Sequence, residues 1–151
     1  MDFVVEKLTE HDIGTADRMT EIEAQAFGEG GLNIWTLVPL IRHGRVFALR
    51  DGQQIIGGAQ FMRDWEDNSR AYLVGIAVDA RYRGKGLGTR FLGECMDSLK
   101  HEGVKKVELT VDAANVPAVR VYSEKLGFDT QEVRQSEYGP GIDRIVMQKT
   151  L

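Results

Sequence analysis

The chain contains a single cysteine, Cys95, among 151 residues. No intrachain disulfide can form, so stability has to come from a packed core, as in proteins of a reducing compartment. Histidine is scarce too: His11, His43 and His101 lie far apart, read as surface residues, and give no metal-ligand spacing. No metal is expected. No apolar run reaches the length of a membrane span, and the acidic start Met1-Asp2 does not look like a signal peptide. Positive charge is not in excess either. Lys and Arg number 19 against 23 Asp and Glu, a net charge of −4, which argues against nucleic acid as a partner. Repeats, linkers and low-complexity tracts are missing. These absences leave a cytoplasmic globular chain, expected as a single domain over residues 1–151 and long enough to bury its own core.

What is present centres on residues 71–99. Tyr72 to Val78 is an almost unbroken apolar run, short and rich in β-branched and aromatic residues, as a buried strand requires. Arg81-Tyr82-Arg83-Gly84-Lys85-Gly86-Leu87-Gly88 follows as a basic, glycine-rich turn. Then Leu87, Phe91, Cys95 and Leu99 recur every fourth residue with Leu92 and Met96 beside them, which predicts a helix with one apolar face. A strand, a glycine turn and a helix N-terminus together suit an anion, because the first-turn N–H groups have no partner inside the helix and the helix dipole adds to their pull. Neither the dinucleotide spacing G-x-G-x-x-G nor the P-loop spacing G-x-x-x-x-G-K-[ST] fits these glycines. What remains is Arg-x-x-Gly-x-Gly from Arg83 to Gly88. Taken alone, it could equally be a tight turn.

The rest of the chain reads as alternating short elements. Phe3 to Leu8 predicts a strand, and Thr9 with Asp12 a capping box ahead of a helix from about His11 to Phe27. Ile34 to Ile41 suggests a second, shorter helix. Arg45 to Arg50 and Gln54 to Arg63 predict a hairpin turning at Asp51-Gly52. Val104 to Val111 alternates, with Val107, Leu109 and Val111 on one face. Asn115 is a plausible cap for a helix from about Val116 to Leu126, with Pro117 in its first turn. Strands at Phe128 to Arg134 and Ile142 to Lys149 close the chain. The expected fold is α/β (α+β): a mixed, mostly antiparallel sheet with a parallel central strand pair and helices on both faces.

The Arg83–Gly88 loop resembles the pyrophosphate-binding loop of the GNAT superfamily of N-acetyltransferases. A second motif supports it: Asn115-Val116-Pro117-Ala118-Val119-Arg120-Val121-Tyr122-Ser123-Glu124-Lys125-Leu126-Gly127-Phe128 has the family's asparagine, alanine, tyrosine and closing Gly-Phe. The order of elements is similar over essentially the full length. The resemblance implies acetyl-CoA as cosubstrate, with its pyrophosphate on the backbone of Arg83, Gly84, Lys85, Gly86, Leu87, Gly88 and Thr89. The side chains of Arg81, Arg83 and Lys85 add to this or point to solvent. The pantetheine arm would pair with the backbone of Ile76, Ala77 and Val78, and the Val78 N–H would face the thioester carbonyl. Asn115 and Ala118 would line the arm, although Asn115 also reads as a plain helix cap. Tyr122 reads as a core aromatic or, by the resemblance, as a general acid to the departing thiolate. An ordinary phenol is a weaker acid than a thiol, so that transfer is uphill by about 2 kcal/mol.

The acceptor implied is a primary amine on a small molecule or a peptide, mostly protonated at neutral pH, which costs ~4 kcal/mol unless a base helps. Many family members carry a glutamate on the central strand as that base. Here Leu73-Val74-Gly75-Ile76 has none, which leaves Asp64, Glu66 and Glu108 as candidates. Phe27, Trp35, Trp65 and Tyr138 are possible acceptor contacts, and Glu29, Glu66 and Glu137 hint at a cationic acceptor. Direct acetyl transfer in a ternary complex, by a monomer or homodimer, is the leading expectation. A non-catalytic acyl-CoA sensor on the same fold is the alternative, and an unrelated phosphate-binding domain a distant third.

Overall fold

Seven strands form one sheet in the order β1-β2-β3-β4-β5-β7-β6 in the computed structural model, which describes residues 2–151. The strands are β1 (Phe3–Lys7), β2 (Arg45–Asp51), β3 (Gln54–Arg63), β4 (Arg70–Val78), β5 (Lys106–Asp112), β6 (Asp129–Arg134) and β7 (Arg144–Thr150). The helices are α1 (Ala16–Phe27), α2 (Ile34–His43), α3 (Leu87–His101) and α4 (Val116–Arg120). The pairing is mostly antiparallel. β4 and β5 run parallel, as the helical crossover between them requires, with Arg70, Ala71 and Tyr72 opposite Lys106, Val107 and Glu108. The mixed sheet expected from the sequence is therefore present.

The described residues fall into two compact units: those up to Met62 with Val74–Cys95, and Arg63–Leu73 with Met96–Leu151. In the first unit, α1 contributes Ala16, Met19 and Ile22, and α2 contributes Leu37 and Ile41, to a core shared with Leu8, Val46, Ala48, Ile55 and Ala77. In the second, Val107, Leu109 and Val111 of β5 are buried at alternate positions, as the pleat dictates. Leu126, Phe128, Val146 and Met147 are buried in the same unit.

Local details depart from the sequence expectation in three places. The Thr9/Asp12 capping box exists, but it opens a 3-10 segment, Glu10–Thr15, and α1 starts only at Ala16. The hairpin turns one residue later than expected: Asp51 pairs with Gln54, and the two-residue loop is Gly52-Gln53 with Gly52 at φ +60°. Glycine at the first loop position is the arrangement that matches the twist of the flanking strands. After α4, residues Val121–Lys125 form a π-helical turn rather than more α-helix.

A buried carboxylate sits in the first unit. Glu23 of α1 is 3% exposed and accepts a hydrogen bond from the Leu32 N–H at 3.2 Å. With its amide nitrogen turned inward, Gln60 donates to Glu23 Oε1 at 3.3 Å and to the Gly75 carbonyl at 2.9 Å. A Cβ on Gly75 would stand 3.1 Å from this inward-turned amide nitrogen, so glycine leaves room for the cluster on β4. Burial pushes the Glu23 carboxyl above its ordinary value, and the Leu32 hydrogen bond only partly opposes this. The native chain therefore holds this proton to higher pH than the unfolded chain, so the contribution of Glu23 to stability declines as pH rises through the native value. Glu23→Gln removes that decline. The melting temperature of the variant relative to the parent should rise as pH increases above about 4.5 and level off once pH passes the native value, and a difference that stays constant with pH would show that Glu23 titrates normally.

Candidate functional site

The glycine turn in the first unit is fixed from behind by Asp79, which ends β4 and is 1% exposed. Its N–H donates to the Ile56 carbonyl at 2.7 Å. Its carboxylate accepts from Arg18 Nη2 at 2.6 Å, from Arg81 Nε and Nη2 at 3.2 and 3.1 Å, and from the Arg81 N–H at 2.9 Å. Arg18 also donates through Nε to the Ile55 carbonyl, so α1 clamps both the strand end and the neighbouring β3. The Arg81 guanidinium, with burial opposing and Arg18 assisting, holds the Asp79 carboxyl well below the usual carboxylate range. A short 3-10 turn, Ala80–Tyr82, follows, and then the glycines.

Gly84 and Gly86 take φ of +80° and +75°, in the left-handed region, with nothing within 4 Å of a Cβ built on either. An L side chain there would cost roughly 1–2 kcal/mol in backbone strain. The two left-handed residues flank Lys85 and bring the chain into α3, whose first-turn N–H groups at Leu87, Gly88 and Thr89 have no partner inside the helix. Such a concave run of N–H groups is an anion-binding shape. Of the three charged side chains on the turn, two have protein partners. Arg81 is held by Asp79, and Arg83 donates through Nε to the Val78 carbonyl at 2.9 Å. The third, Lys85, places Nζ 5.9 Å from the centre of the Tyr82 ring, whose hydroxyl donates to Asp51 at 2.9 Å. Cys95 is fully buried, and burial pushes its thiol far up, so it packs as a small apolar side chain.

Asn115, Ala118 and Tyr122 belong to the second unit. Asn115 caps α4, its Oδ1 accepting from the Ala118 N–H at 3.3 Å. Tyr122 lies on the π-helical turn, half-buried, with its ring edge-on to Phe128 at 5.8 Å. The turn is stitched by Leu126 N–H to the Val121 carbonyl at 3.2 Å and Phe128 N–H to the Tyr122 carbonyl at 2.9 Å. Ser123 Oγ donates to the Val119 carbonyl at 2.9 Å, a local side-chain bond of the kind that bends a helix. That serine was the one sequence signal for the widened turn, and π-turns are frequent at functional sites. Burial pushes the Tyr122 phenol up, and the positive charge of Arg144 pulls it partly back. The net direction keeps Tyr122 a neutral hydrogen-bond donor at physiological pH.

The second unit also gathers residues that the sequence reading passed over. The Tyr72 hydroxyl and Thr110 Oγ1 share a hydrogen bond at 3.1 Å. Arg144 of β7 donates through Nε to Thr110 Oγ1 at 3.2 Å and through Nη2 to the Thr110 carbonyl at 2.9 Å. The Tyr138 ring centre lies 5.3 Å from the Arg144 guanidinium. Burial raises the Tyr72 phenol, against the pull of the Thr110 hydrogen bond, and Tyr138 and Arg144 act on it too.

The carboxylates expected as bases are mostly engaged. Asp64 accepts from Arg70 Nε and Nη2 at 3.1 and 2.7 Å, which draws its carboxyl down. Glu108 lies between Arg70 at 3.8 Å and Arg134 at 3.9 Å. Glu66 gives only its backbone N–H, to Asp64. A carboxylate drawn down by arginine, as Asp64 is, is a poor proton acceptor near neutrality.

Comparison with known proteins agrees with this geometry. The profile described as "Acetyltransferase (GNAT) family" matches residues 16–128. The chain is 37% identical over 87 residues to a mycothiol acetyltransferase of Corynebacterium glutamicum, covering 58% of this chain and 29% of that protein. It is 40% identical over 68 residues to the [ribosomal protein bS18]-alanine N-acetyltransferase of Escherichia coli, covering 45% of each. These matches span less than half the length of either relative. The crystal structure of the ribosomal-protein-S18-alanine N-acetyltransferase from Escherichia coli superposes with a TM-score of 0.80 at 26% identity, over 99% of this chain and 94% of that one. With well over half of its residues inside the family profile, the chain belongs to the acetyltransferase (GNAT) family.

Proposed function

We propose that the chain, acting as a single domain, is an N-acetyltransferase that moves the acetyl group of acetyl-CoA directly onto a primary amine. The observation that carries this reading is the turn ahead of α3, where Gly84 and Gly86 hold left-handed φ at a free helix N-terminus. The cosubstrate pyrophosphate lies along the N–H groups from Arg83 to Thr89. The backbone of Ile76, Ala77 and Val78 pairs with the pantetheine arm, and the Val78 N–H polarises the thioester carbonyl. One such donor is worth about 3–4 kcal/mol of transition-state stabilisation. The neighbouring Asp79 N–H is already given to Ile56, which leaves the strand end before it for this task. Asn115 and Ala118 hold the arm at the α4 end.

In the reaction the amine nitrogen bonds to the acetyl carbon, the carbon–sulfur bond breaks, and the electron pair leaves on sulfur. Tyr122 donates a hydrogen bond to that sulfur as charge develops. Its raised phenol makes complete proton transfer at that moment costly. The proton lost by the amine leaves through water. One observation favours the alternative of a non-catalytic acyl-CoA sensor: β4 carries no acid between Tyr72 and Val78, and Asp64 and Glu108 are occupied by arginine.

Coenzyme A release from acetyl-CoA, read as free thiol across a panel of amines, separates the two. Acceptor-dependent release is expected, and acetyl-CoA binding without release for any amine would favour the sensor. Tyr122→Phe should lower kcat by at least about tenfold with acetyl-CoA affinity nearly unchanged; an unchanged kcat removes Tyr122 from the mechanism. Gly86→Ala should weaken acetyl-CoA binding about tenfold, from strain and a misaimed N–H run, as measured by calorimetric titration. Wild-type affinity in that variant would place the pyrophosphate elsewhere.

A further inference from the structure

Arg144 is a half-buried cation without an anion. Among the described residues no carboxylate lies within ion-pair distance of its guanidinium, whereas Arg18, Arg50, Arg70, Arg81, Arg90 and Arg134 each have one. The acidic neighbours are otherwise employed. Asp112 faces Arg144 in the β5–β7 register, yet its carboxylate accepts from the Ala114 N–H. Asp143 Oδ1 accepts from the Ser136 N–H. Glu137 pairs with Arg134, and Glu108 lies between Arg70 and Arg134.

The guanidinium is also held in a fixed orientation. Nε and one N–H of Nη2 are given to Thr110, and the Tyr138 ring lies over the group at 5.3 Å. Of the five donors of an arginine, both on Nη1 and the second on Nη2 are left, a planar edge shaped for a bidentate carboxylate. Thr110 Oγ1 links this edge to the Tyr72 hydroxyl, a further polar group at the same place. Tyr138 is 60% exposed, so the cluster is open to solvent-borne ligands. Within the unit, the charge of Arg144 is also felt by the Tyr122 phenol, which places the cation near the group assigned to the departing thiolate.

We propose that Arg144, fixed by Thr110 and Tyr138 and assisted by Tyr72, is a carboxylate-recognition subsite, and that the acceptor is a small amine carrying its own carboxylate, of the amino-acid class. This deepens the acetyl-transfer reading and rests on it. The guanidinium edge selects the substrate. The chemistry at the amine is unaffected by this assignment.

The test pairs each free amino acid with its C-terminal amide as acceptor, using thiol release from acetyl-CoA. The amide has the less basic amine and is the faster partner in any pocket blind to carboxylate. The wild type should nevertheless prefer the acid by about tenfold or more in kcat/KM, the worth of a charge-assisted pair. Arg144→Gln should bring the acid-to-amide ratio to one or below, and Arg144→Lys, which keeps the charge but loses the fork, should fall between. The ratio is taken within one preparation, so partial loss of folded protein cancels. Amides turned over as well as acids, or a preference that survives in Arg144→Gln, overturns the subsite while leaving the enzyme reading intact.

A second readout needs no turnover. Saturation-transfer NMR with N-acetyl amino acids should show binding to the wild type and none to Arg144→Gln. Binding of that kind in a protein that acetylates no amine would keep the subsite and sink the transferase. Absence of both binding and turnover sinks both.

Discussion

The buried carboxylate of Asp79 is the interaction on which the glycine turn depends. It sits where β4 stops, and it is engaged by an arginine from α1 and another from the turn itself. A buried charge is tolerated only when paired and hydrogen-bonded, and here the pairing does structural work: it fixes the exit direction of β4 and hence the start of the glycine turn. The left-handed residues Gly84 and Gly86 then have only to aim a short N–H run at the head of α3. Of the arginines that look like anion ligands in the sequence, Arg81 is committed to this clamp and Arg83 to the Val78 carbonyl. In the proposed function it is the backbone that holds the anion.

The second unit is built on a different balance. Several of its carboxylates, Asp64, Glu108, Glu132 and Glu137, are matched to arginines, while the Arg144 guanidinium is hydrogen-bonded to Thr110, which the Tyr72 hydroxyl joins. Phenols in such a place stay neutral, since burial raises Tyr72 and Tyr122 while Arg144 only partly offsets it. Neutral donors beside a fixed cation favour ligands that bring negative charge, developing or permanent.

Local chemistry made much of this legible before any coordinates. The run Tyr72 to Val78 is apolar because β4 is an interior strand of the sheet, and a parallel partner was implied by the helix that follows. The four-residue recurrence of Leu87, Phe91, Cys95 and Leu99 matches the buried positions of α3. Where reading failed, competing bonds were the reason. The box at Thr9 and Asp12 is satisfied by a 3-10 segment as well as by an α-helix, and Thr15 Oγ1 donates to the Asp12 carbonyl within it at 2.6 Å. The hairpin slipped by one residue because both Asp51-Gly52 and Gly52-Gln53 are acceptable turn pairs, and the register of the strands decides between them.

The sequence by itself determined the strand, the glycine turn, the helix and the cap at Asn115, because each is set by residues within a few positions of one another. Tertiary structure decided the fate of the charges. Tyr72 and Thr110 are 38 residues apart in the chain and Thr110 and Arg144 34 apart, so no local pattern announces that they meet. The same holds for Arg18 and Asp79, which are separated by 61 residues. A charged side chain reads alike whether it is solvated, clamped or free to bind. Only the sheet order, which sets β7 beside β5, reveals that Arg144 meets Thr110 rather than a carboxylate.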